Sequence, residues 1–279
     1  MQLPFTLQYF VALDLGTAWT RGASQDGRLA VMESERHGLR GMAAGAVADA
    51  GTCAQIVSSL FRTLRPGFLG RPHAVAPVSA CATPAQRAAI LSTLYRSGAF
   101  SVTLLQQPLA AAVGAGLDPG SDYAQMIMDV GEGYTELAVI RAGRVETAEV
   151  IRAGCGDVRR ILARHGTPRE IWERLRWMEQ NLFENNTGLL PQETVDALGE
   201  LLDTLARGAA AFFRRLPDRT ACEVIENGLL LVGGGAMLRE LRRRISLQTR
   251  LAVRVPDQPL NAVIEGARQA IPYAVRFSC

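Results

Sequence analysis

Residues 14–20 read DLGTAWT and residues 129–135 read DVGEGYT. In each, an Asp and a hydrophobic residue lead to a Gly, and small or polar residues close on a Thr. Each follows an apolar run, YFVAL or AQMIM, as a strand precedes a tight turn. A Gly-rich turn lets backbone N–H groups approach an anion, because no Cβ stands in the way, and a Thr hydroxyl adds a donor. An Asp at a strand end repels phosphate but suits hydrated Mg²⁺, which keeps several waters and lies between carboxylates and phosphates. Asp14 and Asp129 are therefore candidate metal ligands acting through water. Gly16, Thr17, Ala18 and Thr20, with Gly131, Glu132, Gly133 and Thr135, are candidate contacts to the polyphosphate of a nucleotide. One such turn is ordinary hairpin chemistry; two, set face to face by two α/β halves, read as a clamp. Glu132 brings negative charge toward the phosphates, and Trp19 and Tyr134 bring bulk, so weak or absent nucleotide binding is a second expectation.

A third glycine-rich stretch, Gly233–Gly235, follows the apolar GLLLV and precedes MLRELRRRI. It permits close backbone approach to a base or sugar; it also suits a strand-to-helix turn that needs positive φ.

The elements that would hold these turns follow from periodicity and punctuation. A strand over 9–14, a returning strand from about 20 and a hairpin at QDGR open the chain, and residues 33–51 read as irregular. Helices are expected at 52–64 with Thr52 as N-cap, at 83–97 with Thr83 capping and Pro84 at its first position, and at 107–116. LDPGSD at 117–122 is the clearest interior boundary. After it come strands AQMIMDV, TELAVI and VETAEVI around the turn RAGR. Helices are then expected near 157–165, 168–183 and 191–215, followed by the GLLLV strand and two closing helices. The pattern is α/β, with one plan occurring twice.

Composition excludes several classes. With 279 residues, 48% apolar and 20% charged, the chain is large enough for two modest domains. All 30 basic residues are Arg, and the net charge of +3 is too small to suggest nucleic acid. Arg214–Arg215 and Arg242–Arg244 read as solvated helix faces. Five widely spaced Cys without a CxxC motif suggest reduced thiols in a cytoplasmic protein rather than zinc or disulfides. MQLPFTLQYF has no basic leader region, and no apolar run reaches the ~20 residues of a spanning helix.

In order, ALDLGTAWT, PVSACATPAQRAAIL, LLQQPLAAAVGAG, MIMDVGEGYTELAVI, GLLLVGGGAMLREL and DQPLNAVIEGA resemble the successive motifs of the MreB bacterial actins. The resemblance implies the actin-like ATPase fold: two ribonuclease H-like α/β lobes around a nucleotide cleft. Lobe I would comprise 1–118 with 257–279, and lobe II 119–256. It implies ATP with Mg²⁺, phosphate loops at Asp14–Thr20 and Asp129–Thr135, and an adenosine loop at Gly233–Gly235. It also implies a Glu and a basic residue facing the adenosine from one helix. WERLR supplies Glu173 and Arg176, which also read as a solvated pair.

Where relatives carry Glu-Glu-Pro this chain has QQP, so Gln107 is the candidate water-orienting residue, as eukaryotic actin also has Gln there. Gln orients water through its carbonyl oxygen but is a very poor base, which implies slow hydrolysis at best. The small outer subdomains IB and IIB are expected to be reduced, to about 33–44 and to a helical remnant near 156–190. RPGFLGRP at 65–72 matches the membrane-inserting loop of membrane-binding relatives. Phe68 and Leu69 would be its apolar tip between Arg65 and Arg71, unless Phe68 folds back on its own domain. The function implied is a divergent cytoskeletal or scaffold protein linked to cell shape, self-associating or binding envelope proteins, with weak hydrolysis and altered polymerisation. The alternatives are a pseudo-ATPase adaptor and a small chaperone-like reactivase of the ethanolamine-utilisation type.

Overall fold

Strand β1 (Phe10–Leu15) is buried along most of its length because helices cover both of its faces. Val11, Leu13 and Leu15 pack with Cys53, Val57, Leu60 and Leu64 of α1 (Ala50–Leu64). Phe10 and Ala12 face the other way, by the period-two alternation of a strand, and pack with Ile264 and Ala267. Asp14 continues this second row. Alternation alone therefore decides which face carries its carboxylate.

The computed structural model describes residues 9–65, 70–166 and 190–276. Its contacts divide into two units: one runs up to Asp118 and resumes at Asn261, and the other is Pro119–Leu260. In the first unit, β1, β2 (Trp19–Ser24), β3 (Leu29–Glu33), β8 (His73–Val78) and β9 (Ser101–Gln106) form a sheet in the order β3-β2-β1-β8-β9. In the second, β10 (Gln125–Val130), β11 (Thr135–Arg141), β12 (Arg144–Ile151), β13 (Leu229–Gly233) and β14 (Val253–Arg254) are ordered β12-β11-β10-β13-β14. Each sheet is an antiparallel meander extended by two parallel strands. The echo read in the sequence is thus an echo of whole sheets, and the α/β expectation holds.

The parallel strands fix where the turns lie. β1 and β9 run the same way, so the turn after Asp14 and the residue Gln107 leave the same edge of the first sheet. β10 and β13 are adjacent and parallel, with Asp129 level with Val232 and Val130 level with Gly233. In open α/β sheets this carboxyl edge is where ligands bind.

Local chemistry explains the helix ends. In α2 (Pro84–Arg96), Gln86 N–H donates to the Thr83 hydroxyl and Gln86 Oε1 accepts from Thr83 N–H, a reciprocal capping box with Pro84 at the first position. For α1 the expected cap is corrected: Asp49, in extended conformation, accepts from Thr52 N–H at 2.6 Å, so Thr52 lies inside the helix. Residues 33–51 are not irregular either. Glu35–Arg36 pairs with Leu39–Arg40 and Met42–Ala43 with Ala46–Val47 (β4 to β7), through His37-Gly38 and Ala44-Gly45 turns whose residues all have positive φ. Such turns match strand twist. A further helix, α6 (Asp218–Asn227), was not expected from the sequence.

Helix α3 (Gln107–Gly114) packs on α8 (Ala262–Gln269) through small residues. A Cβ on Gly114 would stand 1.9 Å from Ala262 O, and one on Gly266 would stand 1.7 Å from Ala110 O. Only glycine permits this approach, and it anchors the helix that begins with Gln107. In the second unit, Met126, Met128 and Val130 pack with Leu202, Leu205, Ala206 and Ala209 of α5 (Gln192–Arg214).

Candidate functional site

The first turn, residues 16–19, joins β1 to β2 with Leu15 opposite Thr20. Ser34, fully buried, clasps it: the Ser34 hydroxyl donates to Gly16 O at 2.6 Å and its N–H donates to Ala18 O at 2.9 Å. With the Ser34 hydrogen committed, Thr20 Oγ1 donates to Ser34 Oγ at 2.8 Å. Thr20 is buried. Its hydroxyl thus braces the turn through Ser34. Thr17 Oγ1 accepts from Ala44 N–H at 3.1 Å. Among the described residues, the backbone N–H groups of Thr17 and Ala18 donate to no protein acceptor. Trp19 is 43% exposed and does not fill the turn.

The second turn, residues 131–134, has the same length between Val130 and Thr135. Gly131 N–H donates to Tyr134 O. The carbonyls of Gly131 and Glu132 accept from Cys155 N–H and Gly156 N–H, each at 2.9 Å, satisfying orphan donors at the start of α4 (Cys155–Arg164). The Glu132 carboxylate turns the same way. It pairs with Arg159 of α4 and lies beside Gly156 at that helix N-terminus, where negative charge is favoured. The charge that stood against phosphate binding in the sequence is thus met locally. Thr135, fully buried, donates its hydroxyl to Ala153 O at 2.8 Å, so it too braces the fold from inside. Among the described residues, the amides of Glu132 and Gly133 donate to no protein acceptor.

The two Asp residues differ in their cross-strand neighbours. Asp14 stands opposite Arg21, and Asp129 opposite Glu136. Arg21 Nη1 donates to Asp14 Oδ2 at 3.0 Å. Burial pushes the Asp14 carboxyl above its ordinary value, with the Arg21 guanidinium opposing that rise. Arg21 was missed in the sequence although the hairpin register signals it: with Leu15 opposite Thr20, the next rung joins 14 and 21. Ser34, Ala44 and Arg159 left no comparable signal.

The three glycines after β13 have structural causes. Gly233 has φ +80° and ψ −173°, a region essentially reserved for glycine, and a Cβ there would stand 2.4 Å from Asp129 Oδ1. A Cβ on Gly235 would meet Val130 Cγ1 at 2.3 Å, and one on Gly234 would lie 3.1 Å from Cys155 Sγ. Close packing thus accounts for a run that the sequence offered as a ligand signal. Gln107 opens α3 with Pro108 behind it. Glu173, Arg176, Phe68 and Leu69 lie outside the described residues. Arg71, expected as a basic flank of the apolar tip, donates to Gly98 O and Ala99 O.

The paired sheets and turns can be set beside known proteins. The profile of the MreB/Mbl protein family matches residues 33–163 and 179–277. The chain belongs to the MreB/Mbl family. The cell shape-determining protein MreB of Escherichia coli K12 is 28% identical over 263 residues, covering 84% of this chain and 75% of that protein. Among solved structures, MreB5 of Spiroplasma citri bound to ADP aligns with a TM-score of 0.83 at 18% identity, over 97% of this chain and 98% of the other. The MamK double helical filament aligns with a TM-score of 0.74 at 15% identity, over 95% and 99%. These likenesses identify the actin-like ATPase fold that MreB/Mbl proteins share. Among the described residues no helix is long and apolar enough to cross a membrane.

Proposed function

We propose that this MreB/Mbl protein is an ATP-binding cytoskeletal or scaffold protein that contributes to cell shape in the cytoplasm. The observation that carries this reading is the repeated turn. Each sheet ends β1 or β10 in a four-residue turn whose carbonyls are held inward and whose successive amides, Thr17 and Ala18 or Glu132 and Gly133, have no protein acceptor among the described residues. Successive free amides form an anion-binding concavity. The relative bound to ADP and the relative in a filament support nucleotide binding and self-association.

In this reading Gly16, Thr17, Ala18, Gly131, Glu132 and Gly133 contact the polyphosphate through their backbone. Gly233–Gly235 border the nucleoside, with Glu173 and Arg176 as further contacts. Gln107 orients the attacking water through its carbonyl oxygen, and because Gln is a very poor base, hydrolysis is slow. Mg²⁺ held by Asp14 and Asp129 through water does not fit the first turn, where Arg21 already engages Asp14. Phe68 and Leu69 make a peripheral contact with the inner face of the membrane.

Calorimetric titration of ATP into the full chain tests the central claim. Saturable binding supports it; no heat at millimolar ATP, with or without Mg²⁺, sinks it and leaves a pseudo-ATPase adaptor. That second reading has its own support, since Thr20 and Thr135 use their hydroxyls inside the fold. Sedimentation with ATP tests assembly, and liposome flotation of Phe68→Ser with Leu69→Ser tests the membrane contact, which is lost if the two residues insert.

A further inference from the structure

We propose that Arg21 takes the place of the divalent cation at the first phosphate turn, so that this chain binds nucleotide phosphates without Mg²⁺. The inference rests on the nucleotide reading above and specifies how that site is charged.

Arg21 and Asp14 are cross-strand partners on one face of the β1–β2 ladder, with Nη1 and Oδ2 3.0 Å apart and side chains 18% and 16% exposed. A guanidinium and a hydrated divalent cation compete for that carboxylate, and their like charges repel at such short range, most strongly where water is scarce. Asp14 is the only side-chain partner of Arg21 among the described residues. A guanidinium carries five N–H donors, so donors remain once Asp14 is served. They form a planar fork that matches phosphate oxygens. The turn that carries the Thr17 and Ala18 amides begins one rung further along the ladder, after the Leu15–Thr20 pair, so cation and amides are offered at the same strand end. The chain has no Lys, so arginine is its one permanent side-chain cation. The second turn lacks the device, because Asp129 stands opposite Glu136.

The test is ATP titration of the full chain by calorimetry, once with MgCl₂ and once with EDTA. In the wild type the two dissociation constants agree within about threefold. In Arg21→Leu, chelation weakens binding by about 10–100-fold, the size of a lost charge-assisted hydrogen bond. Arg21→Lys, which keeps the charge, retains most of the tolerance to EDTA. Wild-type binding that requires Mg²⁺ overturns the proposal and leaves the nucleotide reading standing. No ATP binding by the wild type in either buffer overturns both. The wild-type comparison needs no variant, so it decides the matter even if Arg21→Leu does not fold.

Discussion

The carboxylate of Asp129 lies where a side chain on Gly233 would have to be: an added Cβ would stand 2.4 Å from Oδ1 and 2.6 Å from Val130 O. Asp129 ends β10 and Gly233 ends the adjacent parallel strand β13, level with Val130. The glycine is what lets these two strand ends sit side by side.

Gly233→Ala therefore meets both a steric and a conformational obstacle. The positive φ costs about 1–3 kcal/mol and the clash a similar amount, so a loss of about 2–6 kcal/mol is expected in urea unfolding. A loss below about 0.5 kcal/mol would show that β10 and β13 separate easily and that Gly233 is not the wedge described.

Gly266→Ala tests the contact between α3 and α8. Its Cβ would meet Ala110 carbonyl oxygen at 1.7 Å, backbone that cannot yield without moving the helix that carries Gln107. A loss of about 3 kcal/mol or more is expected. Gly51→Ala is the control. It lies in α1, and its Cβ would meet only Asp49 Oδ1 at an ordinary 3.4 Å, so alanine gains about 0.5 kcal/mol of helix propensity.

In α7 (Arg239–Thr249), Glu240 pairs with Arg243 and with Arg244, the residue that reaches α5. Burial raises its carboxyl, but hydrogen bonds from Arg243 and Arg244 outweigh that and hold it below the usual 4.5. Arg244 also reaches Asp203 at 2.8 Å and Gly199 O at 3.0 Å. A lowered folded-state pKa means stability that is fully present above 4.5 and is lost as pH falls through the folded value. Thermal midpoints measured across pH 2–6 should fall less steeply for Glu240→Gln, which should start from a lower midpoint at neutral pH. Parallel curves for the two proteins would refute the linkage.

Thiol reactivity should divide the cysteines. Burial, with the nearby Asp49 charge, pushes the Cys53 thiol up to about 11, so at pH 8 only about one in a thousand is the reactive thiolate. Cys81 and Cys222 are exposed, and Cys155 is buried. Iodoacetamide at pH 8, read by peptide mass spectrometry, should modify Cys81 and Cys222 first, with Cys53 and Cys155 following only in denaturant.

Much of the fold was legible in the sequence because its signals are local. Apolar runs announced β1 and β10, Thr83-Pro84 announced α2, and the DLGTAWT and DVGEGYT turns announced one sheet plan used twice. The short hairpins at His37-Gly38 and Ala44-Gly45 were not legible, because neither carries the Asn or Asp that usually precedes glycine in such turns. The helix at Asp218–Asn227 was also overlooked.

The sequence by itself determined the family, the order of the main elements and the face of β1 that carries Asp14, since backbone hydrogen bonding and side-chain alternation follow from nearest neighbours. Only the tertiary structure decided what each polar group does. Thr20 faces Ser34, fourteen residues away; Thr135 faces Ala153; Glu132 meets Arg159; and Asp14 meets Arg21. Whether a hydroxyl or a carboxylate serves the fold or a ligand depends on which group stands within about 3 Å. That distance is set by the packing of separate elements rather than by the residues on either side in the chain.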